Sequence, residues 1–307
     1  MKRFLPLLLT ALILLTACAQ NEQVVQSFEG FYFDTYISIR VYDPGVPLPD
    51  GLKELCEEAE KTCSATDPDS ELYRFNRGQI DEENLSPLLS QALADAEQYR
   101  LLSGGAADPA IGNVSSLWDW HADPPHVPDS DSIHAALLAM KSAPEYDLGY
   151  IAKGEISKRI AEHLKECGIR SALINLGGNV VALGEKPDGS PFTVGIQDPD
   201  EPSALLTTVD VTDKAVVTSG SYERCFTVDG TLYHHILDPE TGYPVNNGLC
   251  SVTIISSDPI AADALSTACF VMGKEKGLAL IESLDDAEAL FVSDDGKQIR
   301  SSGFPQP

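Results

Sequence analysis

Tyr233-His234-His235-Ile236-Leu237-Asp238-Pro239-Glu240-Thr241-Gly242-Tyr243-Pro244 begins as a strand, carries a pair of histidines and is then bent by Asp-Pro and Thr-Gly, residues that favour turns over continued strand. An apolar run from Ser251 to Ile255 follows and is predicted as a second strand. A helix comes next. Asp258 is placed to cap its first turn, Pro259 suits the first helical position, where no amide hydrogen is needed, and Gly273 is placed to end it. Ala262, Leu265, Ala268, Cys269 and Met272 make the helix mostly apolar and hence buried. Asp263 and Thr267 lie four apart, which sends both oxygens out of one face, one turn from each other. Asp and Thr are weak helix-interior residues, and a buried carboxylate is costly unless it is paired or bound to a cation. Two readings of the pair stand. They are oxygen ligands of a hard cation, or Asp263 accepts local amide hydrogen bonds while Thr267 bonds back to its own helix.

Upstream, Asp147-Leu-Gly-Tyr-Ile-Ala-Lys-Gly154 puts two glycines and a lysine at the mouth of a helix predicted over 151–167 and closed by Gly168. Free amide hydrogens at a helix start, beside a cation, make a pyrophosphate site. The spacing is not that of a Walker loop, and no Gly-x-Gly-x-x-Gly follows a strand, which disfavours a Rossmann unit. Ala172 to Leu176 and Val180 to Leu183 read as strands joined through Gly177-Gly178-Asn179. Leu52 to Cys63 and the segment opened by Ser86-Pro87 read as helices, the latter closed by Gly104-Gly105 and followed by Ala106-Ala107-Asp108-Pro109. From Phe31 to Val41, apolar and polar residues alternate, which predicts one half-buried strand. His121, His126 and His134 surround a Pro-rich loop and read as surface residues. Short strands interleaved irregularly with helices predict an α+β fold.

The amino end is an address. Lys2 and Arg3 precede an apolar run, Phe4 to Ala17, too short to span a bilayer comfortably. Leu15-Thr16-Ala17-Cys18 resembles a bacterial lipobox, so residues 1–17 are expected to be a signal peptide, Cys18 to carry lipid, and 18–29 to form a tether; an ordinary signal peptide is the alternative. That places the protein outside the cytoplasm, anchored to a bacterial cell membrane. With 47 acidic against 21 basic residues the net charge is −26, which argues against nucleic acid and against charge-driven adhesion to anionic lipid. Of the seven cysteines, Cys56 and Cys63 share one predicted helix, roughly 10 Å apart along its axis. That is beyond disulfide reach. No Cys-x-x-Cys pair occurs, and buried free thiols are expected for most.

Taken in order, Ser70-Glu-Leu, Asp108-Pro-Ala-Ile-Gly112, Leu117-Trp118, Asp147 to Gly154, Asn175-Leu-Gly-Gly178, Thr218-Ser-Gly-Ser-Tyr222, His235-Ile-Leu-Asp-Pro-Glu-Thr-Gly242 and Asp263-Ala-Leu-Ser-Thr267 resemble the ApbE family of FAD:protein FMN transferases, over roughly Phe31 to Val292. The resemblance implies a T-fold-like mixed sheet with helices, two lobes around an FAD cleft, and a single catalytic domain over 30–307. It implies Mg2+ held by the Tyr150 carbonyl, Asp263 and Thr267. Phe33, Ala106, Ala107, Asp108, Asp147, Lys153 and Leu237 would contact FAD, the substrate, and His235 would be the base. Read from the residues alone, Phe33 is equally a core residue, Asp108 a turn cap, and His235 a structural hydrogen-bonding side chain. Two positions depart from the family pattern. Phe33-Asp34-Thr35 stands where relatives often have Met-Gly-Thr, and Thr66 stands where many have an aromatic residue. The implied reaction moves FMN to a Thr or Ser hydroxyl of an exported flavoprotein subunit of a membrane respiratory complex of the Rnf or Nqr type, releasing AMP. An FAD pyrophosphatase and a non-enzymatic flavin-binding lipoprotein are the competing readings.

Overall fold

Antiparallel pairing of short strands builds the frame. A computed structural model describes residues 26–201 and 203–305, so the signal segment and Cys18 lie outside the described residues. The strands are β1 (Gln26–Tyr32), β2 (Thr35–Val41), β3 (Ala172–Leu176), β4 (Asn179–Leu183), β5 (Phe192–Gln197), β6 (Leu205–Val211), β7 (Ala215–Gly220), β8 (Cys225–Val228), β9 (Thr231–His234), β10 (Leu249–Ser256), β11 (Glu288–Ser293) and β12 (Gln298–Arg300). Eight of them form one sheet in the order β1-β2-β3-β4-β7-β10-β11-β12; β5 with β6 and β8 with β9 are separate hairpins. The helices are α1 (Leu52–Cys63), α2 (Glu71–Asn76), α3 (Pro87–Leu102), α4 (Gly112–Ser115), α5 (Ser130–Ser142), α6 (Ala152–Glu166) and α7 (Pro259–Ile281). The fold is α+β, an antiparallel sheet with helices.

Period-two alternation sorts each strand between two cores. Ile174, Val217, Val252 and Ile254 face α1, α3, α6 and α7 in the main core. Their neighbours Leu173, Val216 and Ile255 point the other way, where the β5–β6 hairpin covers them with Phe192, Val194, Ile196, Val209 and Val211. A third, smaller cluster packs α4 and α5 against Trp118, Leu237 and the aromatic rings of Trp120, Phe226, Tyr233 and Tyr243.

Several helix starts follow their local signals. Ser70, Ser86, Asp129 and Asp258 each accept a backbone N–H of the first turn from the cap position. Strands follow theirs less closely. The predicted strand from Phe31 to Val41 is a hairpin, β1 with β2, turning at Phe33-Asp34 with both residues at φ 55°. A two-residue turn preserves the alternation through itself and carries no Asn-Gly signal, so the pattern runs straight across it. The Phe33 amide donates to Glu60 Oε1 (3.0 Å) and its ring rests on the main core, which offsets the unusual backbone. β1 starts at Gln26, so the last four residues assigned to the tether are strand. The two strands flanking the Asp-Pro turn do not pair: β9 pairs with β8, while β10 sits inside the large sheet between β7 and β11. Gly273, placed to end the helix after Asp258, only breaks it (φ 78°), and α7 resumes to Ile281.

Candidate active site

The first turn of α6 and the buried face of α7 meet at one atom group, the Asp263 carboxylate. Gly154 N–H donates to its Oδ2 (2.8 Å), and Asn179 Nδ2, from the start of β4, donates to its Oδ1 (2.8 Å). The donors are 109 and 84 residues away, so they are tertiary partners and not amides of the helix's own neighbourhood. Asp263 is 4% exposed. Burial raises its carboxyl above the usual value, while Lys153 and the two amide donors oppose that shift. Each carboxylate oxygen keeps a further lone pair for a ligand. One turn on, Thr267 Oγ1 lies 3.0 Å from Ser219 Oγ, which also lies 2.7 Å from Ser266 Oγ. Thr267 thus reaches across to β7 instead of bonding back to its helix.

Because Gly154 N–H is spent on Asp263, the Tyr150 carbonyl four residues earlier receives no backbone hydrogen bond among the described residues. The Tyr150 hydroxyl points elsewhere, donating to Ala96 O (3.1 Å). One free carbonyl, one doubly bonded carboxylate and a set of hydroxyls are hard oxygen donors that fit Mg2+. No group of three or more His, Cys, Asp and Glu side chains gathers as a metal site among the described residues.

These groups line a single pocket together with Ala106, Ala107, Asp108, Asp147, Lys153, His235 and Leu237. Asp147 is fixed by Ser115 Oγ (2.7 Å to Oδ2) and Gly149 N–H (2.9 Å to Oδ1); Asp108 accepts from Ala110 N–H (2.9 Å). One predicted pocket residue is not brought in: Phe33 sits on the β1–β2 turn and does not line the pocket. Cys18, expected to carry lipid, lies outside the described residues. Thr66 is exposed and also does not line the pocket.

The histidine pair divides its labour. His234 Nε2 bonds the Val245 carbonyl (2.9 Å) and its Nδ1 accepts Ile236 N–H (3.3 Å), so both ring nitrogens are committed to backbone. His235 lies one residue past β9 and lines the pocket, with Nδ1 buried and without a partner among the described residues. Burial lowers its pKa to about 3, helped by the positive charges of Arg224 and Lys153 and by His234. The imidazole is therefore neutral at pH 7, with a lone pair to accept a proton. The turn beyond it is held by Gly242 N–H to Asp238 O (2.8 Å) and by Trp118 Nε1–H to Gly242 O (3.1 Å). Gly242 has φ 73°, and a Cβ there would stand 2.6 Å from Ile133 Cγ2, so only glycine fits.

Sequence reasoning missed Ser115, Trp120, Glu223 and Arg224, which also line the pocket, and the role of Asn179. None has a spacing signature; each arrives through pairing of distant elements.

A model of the ApbE family matches residues 33–291. Among curated relatives, the chain is 36% identical to the FAD:protein FMN transferase of Treponema pallidum, covering 87% of this chain and 84% of that one. It is 32% identical to the protein of the same name from Klebsiella pneumoniae, covering 92% and 93%. Among solved structures it superposes on the flavin transferase ApbE from Vibrio cholerae with a TM-score of 0.78 at 29% identity, covering 91% of this chain and 98% of that one. The ApbE protein of Thermotoga maritima gives 0.81 at 31% identity, covering 91% and 98%. Order of motifs, fold and full-length similarity agree, and the chain belongs to the ApbE family.

Proposed function

We propose that this chain is an FAD:protein FMN transferase that moves FMN from FAD to a Thr or Ser hydroxyl of an exported protein subunit, with AMP as the leaving group. The observation that supports it is the convergence, in one pocket, of the Asp263–Thr267 oxygen pair, the helix-mouth Lys153 and a neutral His235. Tyr150 (through its carbonyl), Asp263 and Thr267 would hold Mg2+, which supplies Lewis-acid polarisation of phosphate oxygens when bound. Lys153 attracts the phosphates to the mouth of α6. Ala106, Ala107, Asp108, Asp147 and Leu237 shape the dinucleotide's seat. The His235 imidazole accepts the acceptor hydroxyl's proton as its oxygen bonds the FMN phosphorus and the bond to the AMP phosphate breaks. Holding both reactants in line is the remaining contribution.

The same reading places the protein at the outer face of the cell membrane, held by lipid on Cys18, with subunits of Rnf- or Nqr-type complexes as the acceptor class. Among the described residues no helix is long and apolar enough to cross a membrane. Cys18→Ser should release the protein from the membrane fraction.

Incubation with FAD, magnesium and an exported flavoprotein subunit tests the activity. AMP together with an FMN-sized gain in acceptor mass supports transfer. AMP alone would instead make the protein a pyrophosphatase, and FAD bound without AMP would make it a binding protein.

A further inference from the structure

Arg224 is an exposed cation on the wall of an acidic pocket. The chain carries 47 acidic and 21 basic residues, and seven cations are engaged in ion pairs elsewhere on the molecule. Arg224 lines the pocket beside four carboxylates, yet its guanidinium makes no ion pair or hydrogen bond among the described residues. Three of those carboxylates are already turned inward by donors: Asp263 to Gly154 and Asn179, Asp147 to Ser115 and Gly149, Asp108 to Ala110. The fourth, Glu223, feels the charges of Lys153 and Arg224 without reaching Arg224 within ion-pair distance.

The register of the β8–β9 hairpin fixes its neighbour. Cys225 pairs with His234, and one step further His235 N–H donates to Arg224 O (3.0 Å). Residues directly opposite on antiparallel strands project from the same face with Cβ atoms roughly 5 Å apart. Arg224 and His235 therefore enter the pocket side by side, with Lys153 also on its wall. A guanidinium presents a planar fork of donors that matches phosphate oxygens two at a time, which an ammonium cannot.

We propose that Arg224 is a substrate-binding residue whose guanidinium holds the non-bridging oxygens of a pyrophosphate next to His235. This rests on the reading of the pocket as the FAD site, and makes Arg224 the group that sets the phosphate beside the base.

The test is a comparison of ligands on the full chain in the presence of magnesium. FAD and ADP carry a pyrophosphate; riboflavin and adenosine carry the same rings without it. Arg224→Gln should weaken FAD and ADP by roughly ten- to hundredfold, leave riboflavin and adenosine unchanged, and flatten the salt dependence of FAD binding. Arg224→Lys should recover part of the loss, because it restores charge without the fork. Unchanged FAD and ADP affinity in Arg224→Gln would overturn the proposal. So would an equal loss for all four ligands, or a loss confined to the KM of the acceptor protein. Wild-type protein that binds FAD but releases no AMP with an acceptor would sink the transfer reading separately, while the ligand comparison would still decide Arg224.

Discussion

At the scale of single residues, the site depends on a buried neutral imidazole and a buried carboxylate. His235 is kept neutral because burial and the nearby cations disfavour the imidazolium, bringing its pKa to about 3. As acid is added, the free base persists well below the range in which an exposed histidine titrates. The kcat/KM of transfer should accordingly show no acid limb near the usual histidine value of about 6.5; a limb there would mean that the imidazole is solvated. His235→Ala should lower AMP release by roughly a hundred- to ten-thousandfold while FAD still binds, as followed by flavin fluorescence. Asp263 is held by two amide donors, and in the proposed function its remaining lone pairs take Mg2+. Magnesium should raise the melting temperature of the wild type, since a ligand bound only by the native state stabilises it. Asp263→Asn should abolish that rise and lower the starting value, because its amide would set donor against donor at Gly154 or Asn179.

At the scale of elements, the contact between α6 and α7 is what the site hangs on. A Cβ on Gly154 would stand 2.6 Å from Pro259 O, 2.8 Å from Ile260 Cα and 2.9 Å from Asp263 Cβ. Gly154→Ala should push the helices apart, costing about 1–3 kcal/mol by overpacking, and should reduce activity more than stability because the displaced group is the carboxylate. Denaturant midpoints and AMP release measured together would show this. One residue further along α6, Glu155 is buried beside Asp95. Burial first, then the hydrogen bond and charge of Asp95, raise its carboxyl to about 8, with Lys158 and Arg159 opposing. The folded state thus binds this proton more tightly than the unfolded one. The resulting stability is fully present below pH 4.5 and is lost as pH rises through about 8. Glu155→Gln should leave the melting temperature little changed at about pH 5, where the carboxyl is still protonated in the folded protein, and raise it at about pH 9, where the buried charge has formed.

At the scale of the molecule, the large sheet is covered on both faces and the thiols follow that burial. No disulfide forms among the described residues. Burial pushes the Cys56 thiol up to about 11, with Glu60 and Glu57 adding to it, and those of Cys63 and Cys269 up to about 12. Among the described cysteines only Cys167 is exposed. Alkylation of the native protein at about pH 8, near the ordinary thiol pKa, should label Cys167 first and leave Cys56, Cys63 and Cys269 untouched until denaturant is added, and a reductant should not move the melting temperature. Prompt labelling of the buried three would mean that the main core opens readily.

Much of this molecule is written in short-range signals. A cap at Ser86 or Asp258, a proline after it and an apolar stripe act within a turn or two, so the helices were legible, as was the placing of Asp263 and Thr267 on one face of α7. The turn glycines of the β3–β4 connection and of Thr241-Gly242 were legible for the same reason. What lay beyond reach was pairing between residues far apart. Nothing in the alternation from Phe31 to Val41 says that it folds back at Phe33-Asp34, nothing near Ser251 says that β10 lies between β7 and β11, and no spacing puts Arg224 beside His235 or Gly154 on Asp263. A helix closes its hydrogen bonds within itself, whereas a strand or a buried carboxylate must find partners elsewhere, and only the folded chain chooses them.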